Sequence, residues 1–181
     1  MNMIQSRSLA RHISTTYTPT TDLTVSIQEA KQYAKIGYSV DDLIFDGLIK
    51  AGQEAFESLT GKVILPQTIT ATIRGAGHAN TVHPLWGPVN SITSITDEDG
   101  GAVDFEEQSA SIDYDYQGLI TFEYETGLFT ATTIGNEFKI GLLKWIASNY
   151  NDREDWALDA KVYHMPNGSR SHWLKHKTYT L

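Results

Sequence analysis

Cysteine is missing from all 181 residues, which removes disulfide scaffolds, thiolate zinc sites, iron–sulfur clusters and cysteine nucleophiles. A chain without disulfides is compatible with synthesis in a cytosol. No apolar run reaches the roughly 18 residues a membrane helix needs, so no membrane partner is expected. Charge is missing in two places. Residues 97–125 hold ten acids and no lysine or arginine, and residues 160–181 hold Lys161, Arg170, Lys175 and Lys177 with no acid. Between residues 23 and 159 there are 21 acids and 8 bases, so an acidic body carries a basic tail. Such a body argues against wrapping nucleic acid, because phosphate binding needs clustered cations.

The motifs of familiar chemistry are missing too. The chain has no G-x-S-x-G elbow, phosphate-binding loop, G-x-G-x-x-G or H-E-x-x-H. Asp97-x-Asp99-Gly100 lacks the longer ligand series of a calcium loop and reads as a turn. His164, His172 and His176 gather in the tail without a neighbouring carboxylate, which a metal site would need. Among the acids of 97–125 no pair stands out as a general acid and base. No cofactor, metal or catalytic residue is therefore nominated, and the expectation is a protein that is not an enzyme.

What is present is 40% apolar and 20% charged, enough to bury a core without staples. Residues 1–22 form a Ser/Thr-rich arm with Arg7 and Arg11. It has some likeness to a transit peptide, but a retained polar arm is the expectation. A first helix is predicted over about 24–36, with a Ser26–Glu29 capping box, an apolar stripe of Ile27, Ala30, Tyr33 and Ala34, and Gly37 as its stop. A second is predicted over about 40–60, capped by Ser39, buried along Ile44, Leu48, Ala51, Ala55 and Leu59, and ended by Gly61. Gly47 and Gly52 inside it invite close approach of another backbone, or are tolerated. Strands are predicted within 62–126, where Ile120, Phe122 and Tyr124 alternate with Leu119, Thr121 and Glu123. Gln117-Gly118 is expected to close a hairpin. A third helix is predicted over about 136–152, burying Phe138, Leu142, Trp145 and Ile146.

The fold class expected is α+β. It has three main helices, an inserted antiparallel β-hairpin region between the second and third, and extended terminal arms. The domains are 1–22 as an N-terminal arm, 23–159 as the main body and 160–181 as a basic, aromatic C-terminal arm. Tyr163, Trp173 and Tyr179 in that arm have no helical period and cannot form a core alone. They are expected to be ordered by contact with the body or with a partner. Removing 160–181 is expected to leave the body folded.

The order of several segments resembles a known family. They are Leu23-Thr24-Val25 before Glu29-Ala30-Lys31, Asp41-Asp42-Leu43-Ile44, and Glu54-Ala55 running to Leu59-Thr60-Gly61-Lys62. Then come Pro84-Leu85, the run Gly87-Pro88-Val89-Asn90-Ser91-Ile92-Thr93-Ser94-Ile95, the turn Asp97–Gly100, Phe122-Glu123-Tyr124-Glu125-Thr126-Gly127, and Asn149-Tyr150-Asn151-Asp152-Arg153-Glu154. In order and spacing they are similar to the head–tail connector proteins of long-tailed phages, also called adaptor or head-completion proteins. The likeness covers residues 23–154. It departs at Lys35-Ile36, where the family often has Leu-Arg, and after residue 154.

The resemblance implies a structural subunit of the virion neck, made in the host cytoplasm and placed at the portal vertex. It implies a homo-oligomeric ring, expected to be a dodecamer, that joins the portal protein to a downstream neck or tail protein. Packaged DNA would pass through the channel without sequence-specific binding, in genome ejection. The segment reaching the portal would be residues 160–181, and the contact residues Tyr163, Arg170, Trp173, Leu174, Lys175, Lys177 and Tyr179. The alternatives are another neck or tail component, such as a stopper or tail terminator, and further off a hydrolase using the acids of 97–125.

Overall fold

The computed structural model describes residues 8–9, 11–17, 22–37, 41–77, 79–108, 111–130, 133–151 and 167–177. They form two compact units. A strand unit comes from Met1–Thr20 and Pro66–Gly127, and a helix unit from Thr21–Leu65 and Leu128–Leu181.

The strand unit holds β1 (Ser8–Leu9), β2 (Arg11–Tyr17), β3 (Gln67–Gly75), β4 (Ala79–Val82), β5 (Val89–Asp97), β6 (Phe105–Glu107), β7 (Ile112–Asp115) and β8 (Gly118–Thr126). They make two four-stranded sheets, ordered β2-β3-β8-β5 and β1-β4-β7-β6. All neighbours are antiparallel except β1 and β4. In β3 and β8 the buried faces meet in register, with Ile69 opposite Tyr124, Ala71 opposite Phe122 and Ile73 opposite Ile120. The small Ala71 leaves room for the Phe122 ring, the kind of cross-strand pair that stabilises a sheet. Each buried Ile or Phe contributes about 1.5–3 kcal/mol.

The helix unit holds α1 (Ile27–Tyr33), α2 (Asp42–Thr60), α3 (Asn136–Asn151), α4 (Asn167–Trp173) and a 3-10 turn over Leu174–His176. Its core includes Phe45, Ile49, Phe56, Phe138, Leu142, Ile146 and Trp173. Ser26 Oγ accepts from the Glu29 backbone N at 3.1 Å, so the capping box forms. Gly61, with φ 68°, ends α2 as the sequence indicates. The predicted cap Ser39 lies outside the described residues, and Asp41 stands at the N-cap without a side-chain capping bond.

The expected fold class needs correction. Among the described residues there are four helices rather than three, and eight strands in two sheets rather than one inserted hairpin region. The terminal arms are not simply extended. Arg11–Tyr17 pairs along β3, from Arg11 opposite Arg74 to Tyr17 opposite Ile69, because its Thr- and Ile-rich run suits a pleated edge. Asn167–Trp173 is helical, because Trp173 supplies one large anchor that a period search over a short segment does not detect. Gln117-Gly118 does not close a hairpin either: β7 and β8 lie in different sheets.

Two local expectations shift as well. The first helix stops at Tyr33 rather than near Gly37. Lys35 takes the left-handed conformation (φ 60°), its N donating to Gln32 O while Ile36 N donates to Lys31 O. That is a Schellman stop with a lysine where glycine is preferred. The buried face of α2 is rotated by about one residue from the predicted one. Phe45, Ile49, Gly52 and Phe56 are buried, while Ile44 is 40% exposed. The rotation turns two phenylalanines into the core. It also sets Gly52 against α3, where a Cβ would meet the Trp145 ring at 3.0 Å and the Leu142 methyl still closer. Gly47 has no atom within 4 Å of such a Cβ.

Candidate functional site

In the helix unit the surface of interest is the C-terminal element, α4 with its 3-10 turn. It is pinned by Trp173, which is fully buried, with ring centroids 5.7 Å from Phe56 and 6.5 Å from Phe138. Gly141 of α3 makes this fit possible: a Cβ there would lie 2.8 Å from Trp173 Cδ1 and 3.2 Å from His172 Cβ. Two polar contacts flank the anchor. Lys175 Nζ donates to Glu137 Oε1 at 2.8 Å, and Lys144 Nζ donates to His172 Nε2 at 3.2 Å. The Lys175 hydrogen bond and charge hold the Glu137 carboxyl below its ordinary value. The His176 ring packs edge-on to Phe56 and Phe129. Burial lowers its pKa, Lys62 and Lys175 lower it further, and Glu137 opposes them.

The seven residues named from the resemblance divide accordingly. Arg170, Lys175 and Lys177 are exposed and Leu174 is half-buried. Trp173 lies in the unit's own core. Tyr163 and Tyr179 lie outside the described residues. The segment 160–181 thus contributes a core side chain to the helix unit, since Trp173 packs against Phe56 and Phe138. Sequence reasoning missed the partners of Trp173, although Gly141 within a helical run was a signal of close approach.

In the strand unit Asp97, Glu98 and Asp99 close the end of β5, while Glu123 and Glu125 sit farther along β8, paired with Ser94 and Ser91. The Asp97–Gly100 segment is a turn, with Gly100 N donating to Asp97 O at 3.1 Å and Asp97 Oδ1 accepting from Gly101 N at 2.7 Å. Beyond it a cavity of about 690 Å3 opens between β5 and the stretch 102–106. Ile95, Val103 and Tyr114 are its buried lining, and Asp104, Phe105 and Glu106 stand on its more exposed side. Asp113 and Asp115 of β7 also line it. Burial pushes the Tyr114 phenol up to about 12. The Tyr116 phenol is raised by desolvation and then by Asp97, Glu98 and Asp99, which marks the negative field at this end.

Among the described residues no three metal-ligating side chains group together, and no helix is long and apolar enough to cross a membrane. The Glu57 carboxyl is raised by burial, but it lies in α2 of the helix unit, where it accepts from Ile64 N at 3.0 Å. It is not part of the acidic cavity.

No protein-family model matches the chain. No curated protein matches it either. Solved structures do. A chain in the neck of an empty gene transfer agent particle, computed with C6 symmetry, superposes with a TM-score of 0.69 at 14% identity, covering 93% of this chain and 97% of that one. A chain in the virion of the native gene transfer agent particle gives 0.68 at 14% identity over the same shares. A chain in the neck of the native particle, computed with C12 symmetry, gives 0.68 at 12% identity, again over 93% and 97%. At such identities the fold is what is shared, over nearly the whole of both chains.

Proposed function

We propose that this chain is a structural, non-catalytic subunit of the neck of a phage-like particle. The observation that carries the reading is the likeness over 93% of this chain to a neck chain of a gene transfer agent particle. In its finer form, identical copies form a ring that joins the portal to the next neck or tail component and extends the DNA channel. The C6 and C12 symmetries of the similar necks support a ring, with twelve copies as the expected number. The excess of acids over residues 23–159 supports a channel through which DNA slides, since like charges repel.

The portal contact is assigned to the C-terminal element. Arg170, Leu174, Lys175 and Lys177 supply its surface, with Tyr163 and Tyr179 on either side in sequence. Trp173 acts by holding the element in place.

Electron microscopy of particles carrying a bulky tag on this chain tests the reading. Extra density at the neck, repeated around the axis, is expected. Tag density along the tail tube or absent from particles would refute the neck role. Copurification with portal rings tests the finer claim. Arg170→Glu with Lys177→Glu is expected to abolish it without unfolding the chain, and unchanged copurification would refute the portal assignment.

A further inference from the structure

The strand unit is charged unevenly from side to side. Among its described residues Arg11 and Arg74 are the only lysine or arginine, against ten acids. The two arginines stand directly opposite each other across β2 and β3. Residues so paired lie about 4.5–5.5 Å apart, and like charges there repel. Both are exposed, and neither guanidinium meets a carboxylate among the described residues. Two unmatched guanidiniums held side by side are set to receive an acidic partner.

The topology puts exposed acids on the far side. The sheets run β2-β3-β8-β5 and β1-β4-β7-β6. At one side β1 leads into β2 across a single residue. At the other side β5 is joined to the stretch before β6, by the bridge of Thr96 with Ala102 and by Val103 N donating to Ile95 O at 2.9 Å. The unit thus has a β1/β2 side and a β5/β6 side. Arg11 belongs to the first, with Arg74 one strand in. Asp99, Asp104, Glu106 and Glu107 belong to the second, and all four are exposed. Each side also exposes an apolar residue, Ile13 at 52% and Phe105 at 39%.

A partner for the arginines must bring acids, and a second copy carries them opposite its own arginines. We propose that the β1/β2 side of one copy docks on the β5/β6 side of the next, with Arg11 and Arg74 paired to Asp104 and Glu106 of the next copy. Such a contact joins two different surfaces, so it repeats by rotation and can close as a ring. Paired hydrogen bonds between guanidinium and carboxylate would also fix how neighbours are oriented. The proposal rests on the ring reading above and names its contact. Nucleic acid fits the arginines less well, because the ten acids of the same unit oppose a polyanion.

The test is sedimentation velocity of the full chain at low salt over a range of concentrations. The wild type is expected to assemble beyond a dimer, and added salt to weaken that assembly. R11E with R74E, and separately D104K with E106K, should each weaken association about tenfold or more. R11Q with R74Q should weaken it less than the reversal. Melting curves show that each variant is folded. Mixing R11E with R74E and D104K with E106K should restore assembly, because every contact between the two proteins is again of opposite charge. E54Q, on α2, should change nothing.

The proposal is overturned if the wild type stays monomeric, or if assembly stops at a dimer, which would mark a two-fold contact. It is also overturned if R11E with R74E associates as tightly as the wild type, or if mixing the two variants restores nothing. A labelled DNA duplex that binds the wild type but not R11E with R74E, while both sediment alike, would overturn it in favour of nucleic acid. The neck reading is decided separately, by the tag density on particles, so either can fail without the other.

Discussion

The side-chain amide of Asn80 donates to the Tyr116 carbonyl at 2.8 Å and to the Gly77 carbonyl at 2.6 Å, while its oxygen accepts from Ala76 N at 2.9 Å. One fully buried side chain thus ties together the two turns, near residues 76 and 116, by which the chain passes between the sheets of the strand unit. Gly75 permits this, because a Cβ there would lie 2.8 Å from Asn80 Nδ2 and 2.5 Å from Tyr116 O.

Asn80→Ala is expected to cost about 2–4 kcal/mol, since it strands several buried backbone groups at once. Asn80→Asp keeps the acceptor and loses the donor, so it should fall between Ala and the wild type. Urea unfolding followed in the strand unit checks both. A loss under about 0.5 kcal/mol for Asn80→Ala would show that water replaces these bonds.

Trp173→Ala should destabilise the helix unit by about 3–5 kcal/mol, the usual cost of emptying a core ring site. Gly141→Val should also be damaging, because its side chain would enter the space of the Trp173 indole. Thermal unfolding of the two variants tests the anchor. A Trp173→Ala protein with an unchanged melting temperature would show that the ring is not part of the core.

Lys35→Gly should stabilise the chain by up to about 1 kcal/mol, because it relieves a left-handed lysine at the end of α1. The greater freedom of glycine in the unfolded chain offsets part of the gain. Chemical denaturation with matched slopes measures the difference, and a net loss would contradict the strain argument.

Attachment of the C-terminal element should weaken on acidification, in two stages. The pKa of His176 is lowered in the fold by burial and by Lys62 and Lys175. Its contribution is therefore complete above the unfolded value of 6.5 and is lost as pH falls through the lower folded value. Glu137 is lowered by Lys175, so its contribution holds above 4.5 and is lost at still lower pH. Hydrogen exchange of residues 169–176 against pH follows both, and His176→Phe should flatten the upper stage. Faster exchange on raising the pH through 6.5 would contradict the assignment.

Local features were legible in the sequence because near neighbours decide them. The Ser26–Glu29 cap, the Gly61 stop, the Asp97–Gly100 turn and the alternation of Ile120, Phe122 and Tyr124 each need only a few adjacent residues. The missing cysteines and the separated charges were also properties of the sequence alone. The tertiary structure decided what depends on distant partners. Residues 11–17 become a strand because β3 offers an edge, and residues 167–173 are held as a helix because Phe56 and Phe138 leave a place for Trp173. The rotation of α2 follows from the approach of α3 to Gly52, and the division into two sheets follows from Asn80 and Gly75. Burial is a sum over contacts remote in sequence, and no local pattern carries that sum.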